Sequence, residues 1–376
     1  MSRQPKATRA AGVGGLLAVL AAGAVLLGAD SAGKRAAPFP GEIVQITNDA
    51  AERVSADVAG DTLYTLKNVL TSLNCPRLAA RNRYERNVEP PRNSVASVII
   101  DGVEYELDRC NILSARGSSR GLIYTVPRGS TDNERRYFAR TYVHDFQEQE
   151  IPRVSIHRWG DDCDAWGDLT ASVTGGGYGD IVITDGSQRN VHRIPQSTKR
   201  GEHRGGLRFE RNLSWFEITP DGFIELKAYV WDQNITNGDV RTLTRCDVPQ
   251  PDGSFASVCE HDISGRWCAW YQVVSQAQHD ARGQPVNTII RGDIYFCDLR
   301  TGERYALSIP NPPQYDGASD AHHLHLGVSD VKGAPVAVWR QDGIVYAAQM
   351  RGHPTRLAPV RGVQPMSALS GSASLH

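Results

Sequence analysis

The sequence predicts an all-β chain built from repeated short strands, and three observations carry that expectation. Glycine and proline, 36 and 20 of the 376 residues, are spread along the whole chain, which suits many strands and tight turns better than long helices. Short apolar runs recur with hydrophobic residues at both odd and even positions, as in SVII (97–100), DIVIT (180–184), LKAYVW (226–231), WCAWYQVV (267–274), PVAVW (335–339) and IVYAA (344–348). A strand that is apolar on both faces is one buried on both faces. The third observation is internal similarity: GDIVITDGSQRNVHRI (179–194) overlays GDIYFCDLRTGERYAL (292–307) in its Gly-Asp-Ile start, apolar strand, Asp-led polar turn and basic-apolar finish.

These pieces assemble into one unit. In the 292–307 hairpin, Ile294 and Phe296 fall on one face and Tyr295 and Cys297 on the other, and DLRTGE suits a type I turn closed by Gly302 in the left-handed region. A different element precedes it. HDISGRWCAWY (261–271) and SADVAGDTLYTL (55–66) both give Asp, a β-branched residue, a small residue, Gly and then an apolar strand. LGVSDVKGAPVAVW (326–339) and FEITPDGFIELKAYVWD (216–232) are looser versions, the latter with its Pro-Asp-Gly turn in the equivalent place. Together they describe a four-stranded meander of about 40–50 residues, the size of one propeller blade. The fold expected is therefore an all-β propeller over 40–362, of about six four-stranded blades at 42–70, 95–130, 137–197, 205–250, 255–310 and 320–360, with five or seven blades as alternatives. Leu63, Leu66, Val69, Leu70 and Leu73 also have helical spacing, so a short helix after the first unit's strand is allowed. The basic, proline-ended stretch 77–93 reads as an exposed loop, 275–291 as a long loop, and 363–376 as a disordered tail.

The order DIS-G-x-W followed by DIYxxDLxTGE resembles the repeats of exported bacterial and archaeal TolB-type β-propellers, most closely over 259–350 and more loosely at 43–66 and 179–232. That resemblance implies propeller architecture and an exported setting. It implies no particular activity.

The N-terminus agrees with export. Arg3, Lys6 and Arg9 flank an uncharged run, AAGVGGLLAVLAAGAVLLGA, that ends at Ala29, so residues 1–32 read as a secretory signal peptide, with an uncleaved membrane anchor as the alternative. The protein is expected to be secreted or periplasmic, touching a membrane only through that segment if it stays. With 41 basic and 42 acidic residues the net charge is −1, which gives no electrostatic footprint for nucleic acid. Seven cysteines in an oxidising compartment suggest disulfides with one thiol left over. Cys246 with Cys259 is the first pairing expected, because they flank a Pro- and Gly-containing loop, and Cys75 with Cys110 is the second. Cys268 and Cys297, each inside an apolar strand, read as small buried hydrophobes.

Candidate chemistry is sparse. Glu260, His261 and Asp262, with His322, His323 and His325 before a neighbouring inner strand, form a funnel set suited to a divalent metal or to an acidic or sugar ligand. Asp162, Asp164 and Asp168 in GDDCDAWGD partly imitate a calcium loop, with Trp166 where an oxygen ligand belongs. No cofactor is predicted by a motif; a divalent cation, calcium or a transition metal, is the one group these side chains suit. Trp159 and Trp166 on a loop are interface candidates. No nucleophile elbow, phosphate loop or dinucleotide fingerprint occurs. The expected function is a non-catalytic scaffold binding a protein or glycan partner in the envelope or outside the cell. The alternative is a propeller-type carbohydrate-active enzyme, a polysaccharide lyase or glycosidase, using the funnel groups.

Overall fold

The computed structural model describes residues 36–48, 52–60, 62–68, 94–110, 112, 114–118, 121–128, 132–142, 145–150, 163–166, 169–174, 179–185, 189–195, 204–219, 221–279, 285–313, 324–351 and 357–365. Among them are six sheets, each built on an antiparallel four-strand core, and one short 3-10 turn at Ile235–Asn237. Sheet 1 holds Glu52–Ala59, Thr62–Asn68, Ser94–Ile100 and Val103–Cys110. Sheet 2 holds Ser114–Ser118, Gly121–Arg128, Asp132–Tyr142 and Asp145–Glu150. Sheet 3 holds Cys163–Trp166, Leu169–Val173, Ile181–Thr184 and Asn190–Ile194. Sheet 4 holds Arg204–Glu210, Asn212–Ile218, Ile224–Val230 and Asp239–Arg245. Sheet 5 holds Phe255–Ser264, Trp267–His279, Pro285–Asp298 and Arg304–Ser308. Sheet 6 is made of His325–Val331, Ala334–Gln341 and Ile344–Met350, and its fourth strand, Gly41–Gln45, comes from the start of the described chain.

Each sheet contains a four-strand meander, with a two-residue strand, Val248–Pro249, added antiparallel on the inner edge of sheet 5 at Ala256 and Phe255, and the first strands of the meanders of sheets 1 and 2, 3 and 4, 4 and 5, 5 and 6, and 6 and 1 lie against one another. That is a propeller arrangement, as the two-sided apolar strands require. Ile294 and Phe296 pack in the layer between sheets 5 and 6 with Trp267 and Trp339, while Tyr295 and Cys297 pack in the layer between sheets 4 and 5 with Trp270 and Leu226. Gly302 has φ 72°, closing the DLRTGE turn in the left-handed region as its type I geometry demands.

Several boundaries differ from the sequence reading, all through pairings between distant parts of the chain. Gly41–Gln45 joins sheet 6 by pairing with Tyr346–Met350, so the first unit begins at 52 and takes strands from both sides of 69–93. The second and third units shift accordingly, to 114–150 and 163–194. The Pro-Asp-Gly turn at 220–222 joins the second and third strands of sheet 4, not the first and second. The tail does not begin at 363: Gly362–Pro365 lies parallel on Val103–Glu106 and covers the outer edge of sheet 1. Ala37–Pro38 does the same for sheet 5 on Tyr305 and Ala306. The two ends of the described chain thus cross the junctions between sheets 5 and 6 and between sheets 6 and 1.

Sheet 1 contains an unusual polar interior. Arg53 makes a two-pronged contact with Glu104 (2.9 and 3.0 Å), Lys67 bridges Glu104 (3.0 Å) and Glu106 (2.7 Å), and the Ser97 hydroxyl donates to Glu104 while accepting from the Thr65 hydroxyl. All of these side chains are buried. They share a face with Leu63 and Ile99, which pack against Val336, Val338 and Val345 of sheet 6. Burial disfavours the ionised Glu104, but Arg53, Lys67 and Ser97 outweigh it and hold the carboxyl at about 2, below its ordinary 4.5.

Candidate functional surface

The inner strands carry a repeated device. In each of five sheets, the residue third from the end of the inner strand reaches across to the next sheet. Asp57 accepts from Gly117 N (2.7 Å), Asp164 from Phe209 N (2.7 Å), and Asp262 from Val328 N (2.7 Å). Ser329 Oγ accepts from Gly60 N (2.7 Å), and Arg208 donates to Glu260 (3.0 Å). At four of the five junctions a backbone N–H of the neighbouring sheet donates to a short acidic or hydroxyl side chain, and at the fifth, between sheets 4 and 5, the contact is an ion pair between two side chains. At the junction of sheets 6 and 1 the approach is so close that a β-carbon on Gly327 would fall 2.6 Å from Asp57 Cα, which fixes glycine there.

This device absorbs most of the described funnel set. Asp262 is a latch between sheets 5 and 6. His261 points the other way, buried with its ring edge-on to Phe216 of sheet 4 at 4.5 Å. Glu260 pairs with Arg208, the two side chains 22% and 23% exposed. They therefore do not converge on one ligand. His322 and His323 lie outside the described residues, as does the His325 side chain, although His325 itself opens the inner strand of sheet 6. The aspartates read as a calcium loop divide similarly: Asp164 is a buried latch, and Asp162 and Asp168 lie outside the described residues. Among the described residues no three His, Cys, Asp or Glu side chains gather as a metal set. Trp166 is the last residue of a strand and packs edge-on against Phe209 at 5.9 Å, so it belongs to the layer between sheets 3 and 4 and not to an exposed loop; Trp159 lies outside the described residues.

The cysteines also depart from expectation. Cys246 and Cys259 are both free thiols, the first buried among Leu226, Leu243 and Trp270 and the second exposed. Cys259 occupies a bulge between Val258 and Glu260, which displaces it from the pairing register. Burial pushes the Cys246 thiol up to about 12. Cys268 and Cys297 face each other across neighbouring strands as free buried thiols, as small hydrophobes would. Cys75 and the Cys110 side chain lie outside the described residues. Burial, with Glu260 and Asp247 nearby, pushes the Cys259 thiol up to about 11, so alkylation of the native protein should label Cys259 slowly at pH 8 and faster as the pH is raised, sparing Cys246, Cys268 and Cys297 until the chain is unfolded; peptide mapping that finds Cys246 linked to Cys259 would contradict this placement.

What the structure adds is an arm. Because the strands of each meander alternate, connections into the inner strands and between second and third strands all leave from one face of the ring. On that face the two middle strands of sheet 5 outrun their neighbours. The first strand pairs with the second only to Phe255↔Ser275, and the fourth pairs with the third only to Asp293↔Ser308. The middle ladder continues through Gln276↔Thr288, Ala277↔Asn287, Gln278↔Val286 and His279↔Pro285, projecting about 13 Å further. Gln276, Ala277, Gln278, His279 and Asn287 are exposed, with Phe255 (39% exposed) and Ile290 (49% exposed) at its base. The sequence predicts a loop over 275–291, but the β-branched run Val286, Thr288, Ile289, Ile290 is the sign of a strand there.

No protein-family model and no curated protein sequence matches the chain. Among solved structures it is similar to the WD40 domain of Neurospora crassa Pan2 (8% identity, TM-score 0.37, covering 87% of this chain and 100% of that one) and to the β-propeller domain of the trilobed protease of Pyrococcus furiosus (10% identity, TM-score 0.37, 83% and 99%). The Cps50 (Swd1) β-propeller domain of Myceliophteria thermophila is a third (9% identity, TM-score 0.35, 82% and 99%).

Proposed function

We propose that the chain is an exported six-bladed propeller scaffold that binds a protein partner through the face bearing the sheet 5 arm. The observation that carries this reading is the arm itself: a ribbon of exposed polar side chains, with Phe255 and Ile290 at its base, extended from a sheet whose packing does not need it. Ordered projections with apolar anchors set in a polar surround are what partner surfaces are made of. The competing reading, a carbohydrate-active enzyme working in the funnel, loses Asp262 and His261 to the sheet junctions and Glu260 to its ion pair with Arg208. Export rests on the charged and apolar pattern of the first 32 residues.

The arm can be removed cleanly. Ser275 and Ile289 are partners in register, so replacing 276–288 by Asn-Gly closes the ladder with a two-residue turn. That variant should unfold at the same temperature as the parent within about 2 °C and lose capture of partners cross-linked to the parent in the exported fraction. Undiminished capture overturns the proposal.

A further inference from the structure

We infer that the arm is an edge for strand addition: an extended segment of the partner pairs along Gln276–His279 as a further antiparallel strand. This rests on the arm-bearing face being the binding surface. Beyond Ser275, one side of the arm's first strand is paired with Pro285–Thr288, and no strand among the described residues covers the other side. In an antiparallel strand every second residue turns both its N–H and its C=O to the same side. Two of the four residues Gln276–His279 therefore present a backbone donor and acceptor outward.

The two edges of the arm are not alike. The outer edge, along 285–291, begins with Pro285, which has no N–H, and carries Arg291. Proline and charge are devices that blunt an unused edge. The other edge, Gln276 to His279, carries neither proline nor lysine nor any carboxylate, with His279 its one titratable side chain. It is left fit for pairing. Its occupant follows from its chemistry, because outward N–H and C=O groups recurring along a strand are matched in full by another extended backbone. The incoming strand would lie beyond exposed Phe255 and the Gln250–Ser254 turn, which leads from Val248–Pro249 into Phe255–Ser264. The bulge that skips Ile290 between Val274↔Arg291 and Ser275↔Ile289 throws that side chain out nearby as a second apolar contact. The edge accommodates four to six residues of an uncharged, β-favouring segment.

The test uses the full chain and a displayed library of random 12-residue peptides, selected on the parent protein and counter-selected on the variant with 276–288 replaced by Asn-Gly. Selected peptides are then synthesised with backbone N-methyl groups on one alternate set of residues or on the other. Strand addition predicts that one set weakens binding about ten-fold or more while the other is tolerated, and that the bound peptide slows amide exchange at Gln276–His279. No enrichment over the counter-selected variant, equal tolerance of both N-methyl sets, or protection confined to residues outside 275–279 overturns the inference. Partner capture that is lost with the arm but leaves the 276–279 amides unprotected overturns strand addition alone; capture that survives loss of the arm overturns the binding-surface reading as well.

Discussion

Glu104→Gln should destabilise the fold by about 3–5 kcal/mol, read as a shift in the urea denaturation midpoint, because it removes the carboxylate that buried Arg53 and Lys67 share. The substitution keeps size and most hydrogen bonding, so the loss reports charge compensation and not a cavity. The same group gives a pH signature. Its folded value of about 2 lies below the ordinary 4.5, so the unfolded chain binds the proton more readily than the folded one. The stability it contributes, about 3 kcal/mol, is fully present above pH 4.5 and is lost as pH falls from there through 2. The parent should lose that much more stability than Glu104→Gln over this window. Parallel acid profiles, or a Glu104→Gln variant within 1 kcal/mol of the parent at pH 7, would refute the placement of the network in the closed interface between sheets 1 and 6.

Asp262→Ala should cost about 1–3 kcal/mol, the penalty for leaving the buried Val328 N–H without its acceptor. Asp262→Asn should recover part of that loss, since an amide oxygen still accepts. A ligand carboxylate would behave differently: its removal would leave stability nearly unchanged and abolish binding. The alanine and asparagine variants therefore separate a junction latch from a functional group without knowledge of any ligand.

The architecture was legible in the sequence because burial between stacked sheets writes itself into both parities of a strand, as Ile294 and Phe296 against Tyr295 and Cys297 show. The repeated Asp in SADVAG, CDAWG and HDISG was also visible, but which neighbour it addresses depends on the sheet packed beside it, and that information is not local. Read singly, Asp262 and Asp164 look like ligands; read together with Asp57, they are the same junction residue in sheets 1, 3 and 5. Gly41–Gln45 and Gly362–Pro365 were misplaced for the same reason, their partners lying far off in sequence. Glu104 and Lys67 alternate with apolar residues as solvent-facing side chains do, and only the neighbouring sheet turns that face into an interior. The arm was hidden by the polar composition of Gln276–His279, which reads as loop until its β-branched partner strand is laid beside it.

On the proposed division of labour, the funnel-like side chains hold the ring together and the arm binds. Its most direct test sets Asp262→Ala and the 276–288 replacement side by side, measuring thermal unfolding and partner capture for each at a temperature where both are folded. Asp262→Ala should lower the unfolding temperature and retain capture, and the arm replacement should leave the unfolding temperature unchanged and lose capture. The reverse pattern, capture lost with Asp262 and kept without the arm, would contradict it.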